Sequence, residues 1–160
     1  MFQIIVGVIA IALAAALAAA SIFYGGSAFM SSTAKAQTTT LVNSAQQISG
    51  AQALYRTDNA GASAGDITAL VTANYLQAVP TAPSVASDGT WTLSDDGSVS
   101  YIEVNSANTA EICAEVENQN GGTAIGSFTD DPALGDLSGT QFNCLSDGAE
   151  PATVYFAFRN

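Results

Sequence analysis

The sequence has no histidine, and only three of its 160 residues are basic: Lys35, Arg56 and Arg159. The absence of histidine removes the most common general base and the most common metal ligand. Serines are frequent, but a catalytic Ser–Lys pair would have to use the single lysine, Lys35. We therefore predict that the chain is not an enzyme and that it holds no cofactor and no metal ion.

Basic residues are also few relative to acidic ones, since 14 Asp and Glu side chains give a formal net charge of −11. Nucleic-acid-binding proteins neutralise phosphates with clustered Lys and Arg. The bulk surface of this chain is therefore not predicted to bind nucleic acid.

Charged side chains are absent from the first 34 residues, and the stretch from Phe2 to Ala20 carries one polar side chain, Gln3. An apolar run of this length is typical of a membrane-spanning helix. The helical pattern continues to about Arg56, and 55 residues of helix would be ~80 Å long. We predict a helix over residues 1–57, with 1–28 as the apolar membrane or filament core, and a head over residues 58–160.

The apolar segment has two further interpretations that depend on processing. Ala34-Lys35-Ala36 resembles a signal-peptidase site, but the segment lacks a positively charged leading region and is longer than a usual signal core. If Met1 is a mature end made by proteolysis, the basic residues were on the removed piece. The alternative is an ordinary initiator methionine, which the sequence alone leaves open.

Glycines mark two places in the predicted helix. Gly7 lies in the apolar run, where small residues let helix backbones approach closely, although it is equally well explained as an incidental membrane glycine. Gly25 and Gly26 are adjacent, and each costs a helix about 1 kcal/mol relative to alanine. We predict that the helix is interrupted near this pair in the assembled state; the alternative is a continuous helix whose glycines face a neighbour.

The second half of the helix, from Thr33, changes character and becomes amphipathic. Gln52 interrupts its apolar face, and Leu54 lies off that face. The pattern nevertheless predicts a helix packed on a soluble core. The helix is expected to end within residues 55–61, where Asn59 and Gly61 suit a left-handed exit. The apolar face consists of Leu41, Ala45, Ile48 and Tyr55.

The head is predicted to begin with a short helix and to continue as an antiparallel sheet. Residues 63–66 have the spacing of a capping motif with Asp66 in the first turn, and residues 75–83 are expected to be extended before their prolines. Residues 112–116 suit either a strand or a short helix, and residues 126–140 suit a loop. The fold class is therefore α+β. Strands are predicted at 90–94, 99–104, 141–144 and 154–158, with a turn at 95–97.

Cys113 and Cys144 form the only cysteine pair in the sequence. In a membrane-anchored acidic protein, two cysteines predict a disulfide in an oxidising compartment. Asp130, Asp131 and Asp136 lie close together and have the oxygen ligands that calcium prefers. Because their spacing does not follow a regular calcium motif, we interpret them as a solvated acidic loop.

This arrangement resembles a type IV pilin over the whole chain, and Met1-Phe2 resembles the Met-beginning mature ends of the type IVb branch. Residues 70–83 are similar to the helix-to-sheet connection of pilins and pseudopilins. Cys113 and Cys144 resemble the pair that bounds the C-terminal disulfide region of the family, and residues 154–158 resemble its closing strand.

Ile5 departs from the family pattern, which has a glutamate at mature position five. In the family this carboxylate pairs with the N-terminal amine of a neighbouring subunit during assembly, and Ile5 makes that pairing impossible. Gln3 offers an amide oxygen as a substitute. Apolar contacts are expected around Ile5, within an assembly helix whose predicted contributors are Met1, Phe2, Gln3, Ile5, Gly7, Gly25 and Gly26.

The resemblance implies a major pilin: a structural subunit of a helical surface filament, stored in the inner membrane before assembly by a pilus assembly machinery. It also implies a bacterial cell-surface or extracellular location, methylation of Met1 and a role in cell adhesion. The predicted partners are identical subunits. The alternatives are a monomeric membrane-anchored extracytoplasmic binding domain and a secretion-system pseudopilin.

Overall fold

The computed structural model describes residues 2–83, 86–87, 89–121 and 125–160, with side chains described outside residues 23–31. The described chain contains three α-helices, five strands and a 3-10 turn, Leu134–Leu137. In chain order the α-helices and strands are α1 (Phe2–Asp58), α2 (Ile67–Thr72), β1 (Thr92–Leu93), β2 (Val99–Glu103), α3 (Thr109–Asn120), β3 (Gly126–Ser127), β4 (Phe142–Ser146) and β5 (Val154–Arg159).

Two compact units divide the chain, and the boundary lies inside α1, between Thr33 and Ala34. The first unit consists of the apolar half of α1. The second unit, residues 34–160, contains the rest of α1 together with the sheet, α2 and α3. The head that folds as a unit therefore begins earlier than residue 58, because it includes the amphipathic half of the helix.

The five described strands form one sheet in the order β1-β2-β5-β4-β3. The pairings are antiparallel except for that of β3 with β4, which is parallel. The closing strand β5 lies at the centre, between β2 and β4. The fold class predicted from the sequence, α+β with a long N-terminal helix and a mostly antiparallel sheet, is confirmed.

The core of the second unit forms where the amphipathic half of α1 meets one face of the sheet. Leu41, Ala45 and Ile48 are fully buried, as their helical spacing predicted, and they belong to one apolar cluster with Ile102 and Phe156. Ile102 and Phe156 are directly opposite each other in the β2–β5 register, so their side chains lie on the same face.

The opposite face of the sheet is covered by a smaller cluster. Val99 in β2, Leu145 in β4 and Ala157 in β5 are buried together with Leu137 of the 3-10 turn. The segment predicted as a loop over residues 126–140 therefore contains a two-residue strand and a single turn of 3-10 helix. That turn supplies a leucine that closes one end of this face.

The end of α1 was predicted in the right place but with one wrong residue. Gly61 has φ of +90° and its N–H donates to Arg56 O at 2.7 Å. The second left-handed residue is Ala60, with φ of +55°, and not Asn59. The Asn59 side chain instead donates to Tyr55 O at 2.9 Å, which satisfies a carbonyl in the last turn.

Two other local predictions are corrected by the structure. Asp66 is the N-cap of α2 and not a first-turn residue, since its carboxylate accepts from Ala69 N at 2.6 Å. Residues 75–78 form bends, because the N–H groups of Tyr75 and Leu76 both donate to Leu70 O at the end of α2. The ambiguous segment at 112–116 is helical and lies within α3.

Candidate functional site

An exposed apolar helix is the dominant feature of the first unit. From Phe2 to Ile22 every side chain is exposed, and this span of 21 residues has a mean hydropathy of 2.6. At 1.5 Å per residue it is ~31 Å long, which matches the ~30 Å hydrocarbon core of a bilayer. A helix of this length and composition fits a membrane anchor or a signal sequence.

The helix has almost no polar group that would resist burial in an apolar environment. The Ser21 hydroxyl donates to Ala18 O at 2.9 Å and is therefore satisfied within the helix. Gln3, near the amino end, is an exposed polar side chain. Beyond the first turn, backbone N–H groups are paired with carbonyl groups within the helix, so only the N–H groups of that first turn need another partner in lipid or in a packed helix bundle.

The structure places four of the predicted assembly residues on this helix. Phe2 and Ile5 are 80% and 57% exposed, and a Cβ built on Gly7 would meet nothing within 4 Å. Gln3 shares the exposed segment with them. Met1 lies outside the described residues, so its assigned role stays a prediction.

Gly25 and Gly26 have helical backbone in the single chain, within α1. The predicted interruption at this pair concerns the assembled state, in which helices of neighbouring subunits would pack around it. It therefore stays a prediction.

The predicted disulfide is present and joins Cys113 of α3 to Cys144 of β4. The two Cα atoms are 5.7 Å apart, and both side chains are buried. Cys144 lies opposite Phe156 in the register, so the bond ties α3 to the sheet face that also packs on α1. The C-terminal half of the head is thereby cross-linked through its core.

Two of the three carboxylates of the acidic loop are engaged in structural hydrogen bonds. Asp131 Oδ2 accepts from Asp95 N at 2.7 Å, which joins the loop to the β1–β2 turn, and Asp136 Oδ2 accepts from Ala133 N at 2.9 Å. Among the described residues, no group of three or more Asp, Glu, Cys or His side chains is placed to hold a metal ion.

Lowered pKa values in the head arise from the same kind of capping. The Thr68 hydroxyl and the Ala69 N–H lower the pKa of Asp66, and the Ala149 and Thr153 N–H groups lower the pKa of Asp147. These carboxylates stabilise turns by accepting hydrogen bonds that favour their ionised form.

A row of aromatic side chains lies on the sheet face opposite α1. The rings of Tyr101 and Tyr155 are 5.8 Å apart, and those of Phe128 and Tyr155 are 5.6 Å apart, both edge to face. Burial and the nearby Asp131 carboxylate raise the pKa of Tyr101 to about 12. The pattern of alternating residues in β2 and β5 predicted strands here, but it did not indicate this aromatic row.

A buried polar cluster at the end of α1 was missed by sequence reasoning. Gly97 O accepts hydrogen bonds from Gln52 Nε2 at 3.2 Å, Arg56 Nη2 at 2.8 Å and Asn160 Nδ2 at 3.2 Å. Gly97 has φ of +66°, and a Cβ at this position would lie 2.6 Å from Ser63 Cβ. The cluster therefore requires glycine, both for the backbone angle and for the close approach.

No protein-family model, no curated protein and no solved structure matches this chain. Only the architecture of the chain can therefore be compared with a known fold. An apolar N-terminal helix that continues into the core of an α+β head, a mostly antiparallel sheet and a disulfide are together consistent with a pilin-like fold.

Proposed function

We propose that this chain is a structural subunit of a helical surface filament, assembled through the apolar half of α1. One observation carries the proposal: a fully exposed apolar helix of 21 residues is built as the direct continuation of a helix that is part of a folded acidic head. Burial of apolar surface contributes about 25 cal/mol per Å², so in water this segment must be covered.

Two environments cover such a helix. A single chain can place it in a bilayer, and many chains can pack their helices against one another with the heads outside. Ala-rich surfaces favour close helix packing, and the absence of charge before Lys35 means that no charged side chain of that segment needs a buried partner. A subunit that is stored in a membrane and then extracted uses both environments in turn.

The head suits the outer layer of such a filament. Its acidic surface keeps it soluble, and the Cys113–Cys144 bond holds its C-terminal half together outside the cell. Assembly with identical subunits, an inner-membrane stage, a pilus assembly machinery and an extracellular final location all belong to this proposal.

The test is electron microscopy of material sheared from the surface of cells that express the chain. The proposal expects filaments composed of this chain alone. A chain found only in the membrane fraction, and recovered from detergent as a monomer, would support a monomeric anchored binding domain instead. Mass spectrometry of the N-terminal peptide tests the processed, methylated Met1 that a pilin would carry.

Ile5→Lys tests whether the apolar helix is the assembly surface. A lysine at this position would put an unpaired charge in the packed core, so filaments should be lost while the head stays folded. Ile125→Lys is the matched control, because Ile125 is 50% exposed on the head, against 57% for Ile5. Normal filament yield from Ile5→Lys, without wild-type chain present, would contradict the packed-helix arrangement.

A further inference from the structure

Two of the three positive charges of this chain, those of Arg56 and Arg159, are half-buried within its own fold. Arg56 donates to Ser63 Oγ at 3.0 Å and to Gly97 O at 2.8 Å, so its guanidinium is part of the buried cluster at the end of α1. Arg159 is half-buried in β5, and its Nε is shielded from solvent. Lys35 alone among the three basic side chains is exposed.

Lys35 also has no acidic neighbour along its helix. No Asp or Glu precedes Asp58 in the sequence, so no carboxylate lies one helical turn before or after Lys35. Among the described side chains of the head, none forms an ion pair or hydrogen bond with its amine. Among the described residues no carboxylate pairs with Lys35, so its charge is available to a partner from outside the chain.

The position of Lys35 on the second unit directs its amine away from the head. Its neighbours Ala34, Gln37 and Thr38 are buried against the head, whereas Lys35, Ala36 and Thr39 are exposed. Lys35 is the first charged residue of the chain and follows 34 uncharged residues. It thus marks the place where the uncharged segment has ended and the acidic heads of neighbouring copies would begin.

We propose that the Lys35 amine forms an ion pair with a carboxylate on the head of a second copy of this chain. The inference rests on the proposed function and adds to it a specific contact between neighbouring heads. In a homopolymer whose subunits each carry −11, repulsion opposes the approach of heads. Lys35 is the one exposed basic side chain, so it is the side chain that can supply an attractive charge at that contact.

The single lysine makes a direct chemical test possible. A carbodiimide activates carboxylates and joins them to a lysine amine within ion-pair distance, which forms an amide with net loss of water. Isolated filaments treated in this way should give a ladder of covalent multimers on a denaturing gel. Filaments grown from a mixture of isotope-labelled and unlabelled chains should give mixed cross-linked peptides that contain Lys35.

Lys35→Arg is the matched control, since arginine keeps the charge but does not form the amide. Filaments of Lys35→Arg should assemble at normal yield and give no ladder through residue 35. Lys35→Ala should lower the filament yield about two- to fivefold, as expected for the loss of one exposed ion pair. Lys35→Glu, which adds repulsion at the same contact, should lower it further.

The outcomes separate this inference from the proposed function. If no filaments of the wild-type chain form, the proposed function fails and the Lys35 contact fails with it. If filaments form but give no cross-link through Lys35, and Lys35→Glu assembles at wild-type yield, the contact is wrong and the filament stands. All yields are compared at one fixed ionic strength, because salt weakens exposed ion pairs.

Discussion

Gln52 is a polar residue at the centre of an apolar helix face, and it is fully buried. Its Nε2 donates to Ala64 O and Gly97 O, both at 3.2 Å, and its Oε1 accepts from Ala64 N at 3.3 Å. The side chain thus satisfies backbone groups from two loops that have no secondary structure of their own to pair with. Gln52, which interrupts the apolar face of the helix, therefore holds both loops to α1.

Replacement of Gln52 by leucine should lower the free energy of unfolding by about 1–3 kcal/mol, because it leaves the Ala64 backbone groups unpaired in the core. The measurement is urea unfolding of the full chain in detergent, followed by the fluorescence of Trp91, which is buried. Gln47→Leu is the control, since Gln47 is exposed on the same helix and its replacement should change stability little. Equal stability of the two variants would contradict the role of the Gln52 amide.

Tyr101 should make the stability of the folded head decrease at alkaline pH. Its pKa is raised to about 12 in the folded head, above the ordinary value of 10. The folded state therefore favours the neutral phenol, and this contribution is present below pH 10 and is lost as the pH rises from 10 to 12. In Tyr101→Phe the unfolding midpoint should fall less over this interval, and the late tyrosinate absorbance step should disappear. A titration of Tyr101 at an ordinary pKa would contradict this result.

The predictable part of this structure followed from single, local patterns. Leu41 and Ile48 were placed in the core by helical periodicity, and the alternation in β2 and β5 was enough to predict those strands. Gln52 could not be interpreted in the same way, because its partners lie 12 and 45 residues away in the sequence. Lys35 was visible in the sequence, but it could be recognised as the one exposed basic residue only when Arg56 and Arg159 were seen to be half-buried.

Among the helices and strands, the length of an element decided whether it could be predicted. Strand β3 has two residues, Gly126 and Ser127, and its parallel pairing with β4 depends on a chain segment that has no periodic pattern. Residues 112–116 are apolar at positions that suit either a strand or a helix. The left-handed Gly121, whose φ is +88°, ends α3, whereas the side chain of its N-cap residue, Asn108, makes no capping hydrogen bond.

The disulfide between α3 and β4 should account for a large part of the stability of the head. It spans 31 residues, and closing a loop of that length contributes about 4 kcal/mol in the chain-entropy model. Unfolding in urea with and without reductant should show this difference, and the double variant Cys113→Ala, Cys144→Ala should match the reduced chain. Intact mass without reductant should be ~2 Da below the reduced mass, for the two hydrogens lost. Two thiols that can be alkylated in the native chain would contradict the bond.

For the molecule as a whole, net charge sets a limit on how closely copies can pack. The 14 acidic and 3 basic side chains give −11 for every copy, and all the acidic residues lie at or beyond Asp58. A filament would therefore concentrate negative charge in its outer layer. Three of these acidic residues, Glu111, Glu115 and Glu117, lie on α3, which has no basic residue in its last turn.

Filaments of this chain should be less stable at low ionic strength. The screening length increases from ~8 Å at 0.15 M salt to ~30 Å at 0.01 M, so repulsion between heads extends further. The measurement is the fraction of chain that still sediments after dilution of sheared filaments into each buffer. Replacing Glu111, Glu115 and Glu117 by glutamine changes the charge from −11 to −8 (−11 + 3) and should reduce this salt dependence. Filaments that sediment equally in both buffers would contradict the repulsion argument.

The two outer strands of the sheet, β1 and β3, are only two residues long. A long free strand edge is a template on which another chain can add a strand, and repeated addition leads to amyloid-like stacking. Such short edges give another chain little backbone to pair with. In a membrane that holds many unassembled copies, the heads would thus stay separate folded domains. Polymerisation would then depend on the helix and not on the sheet.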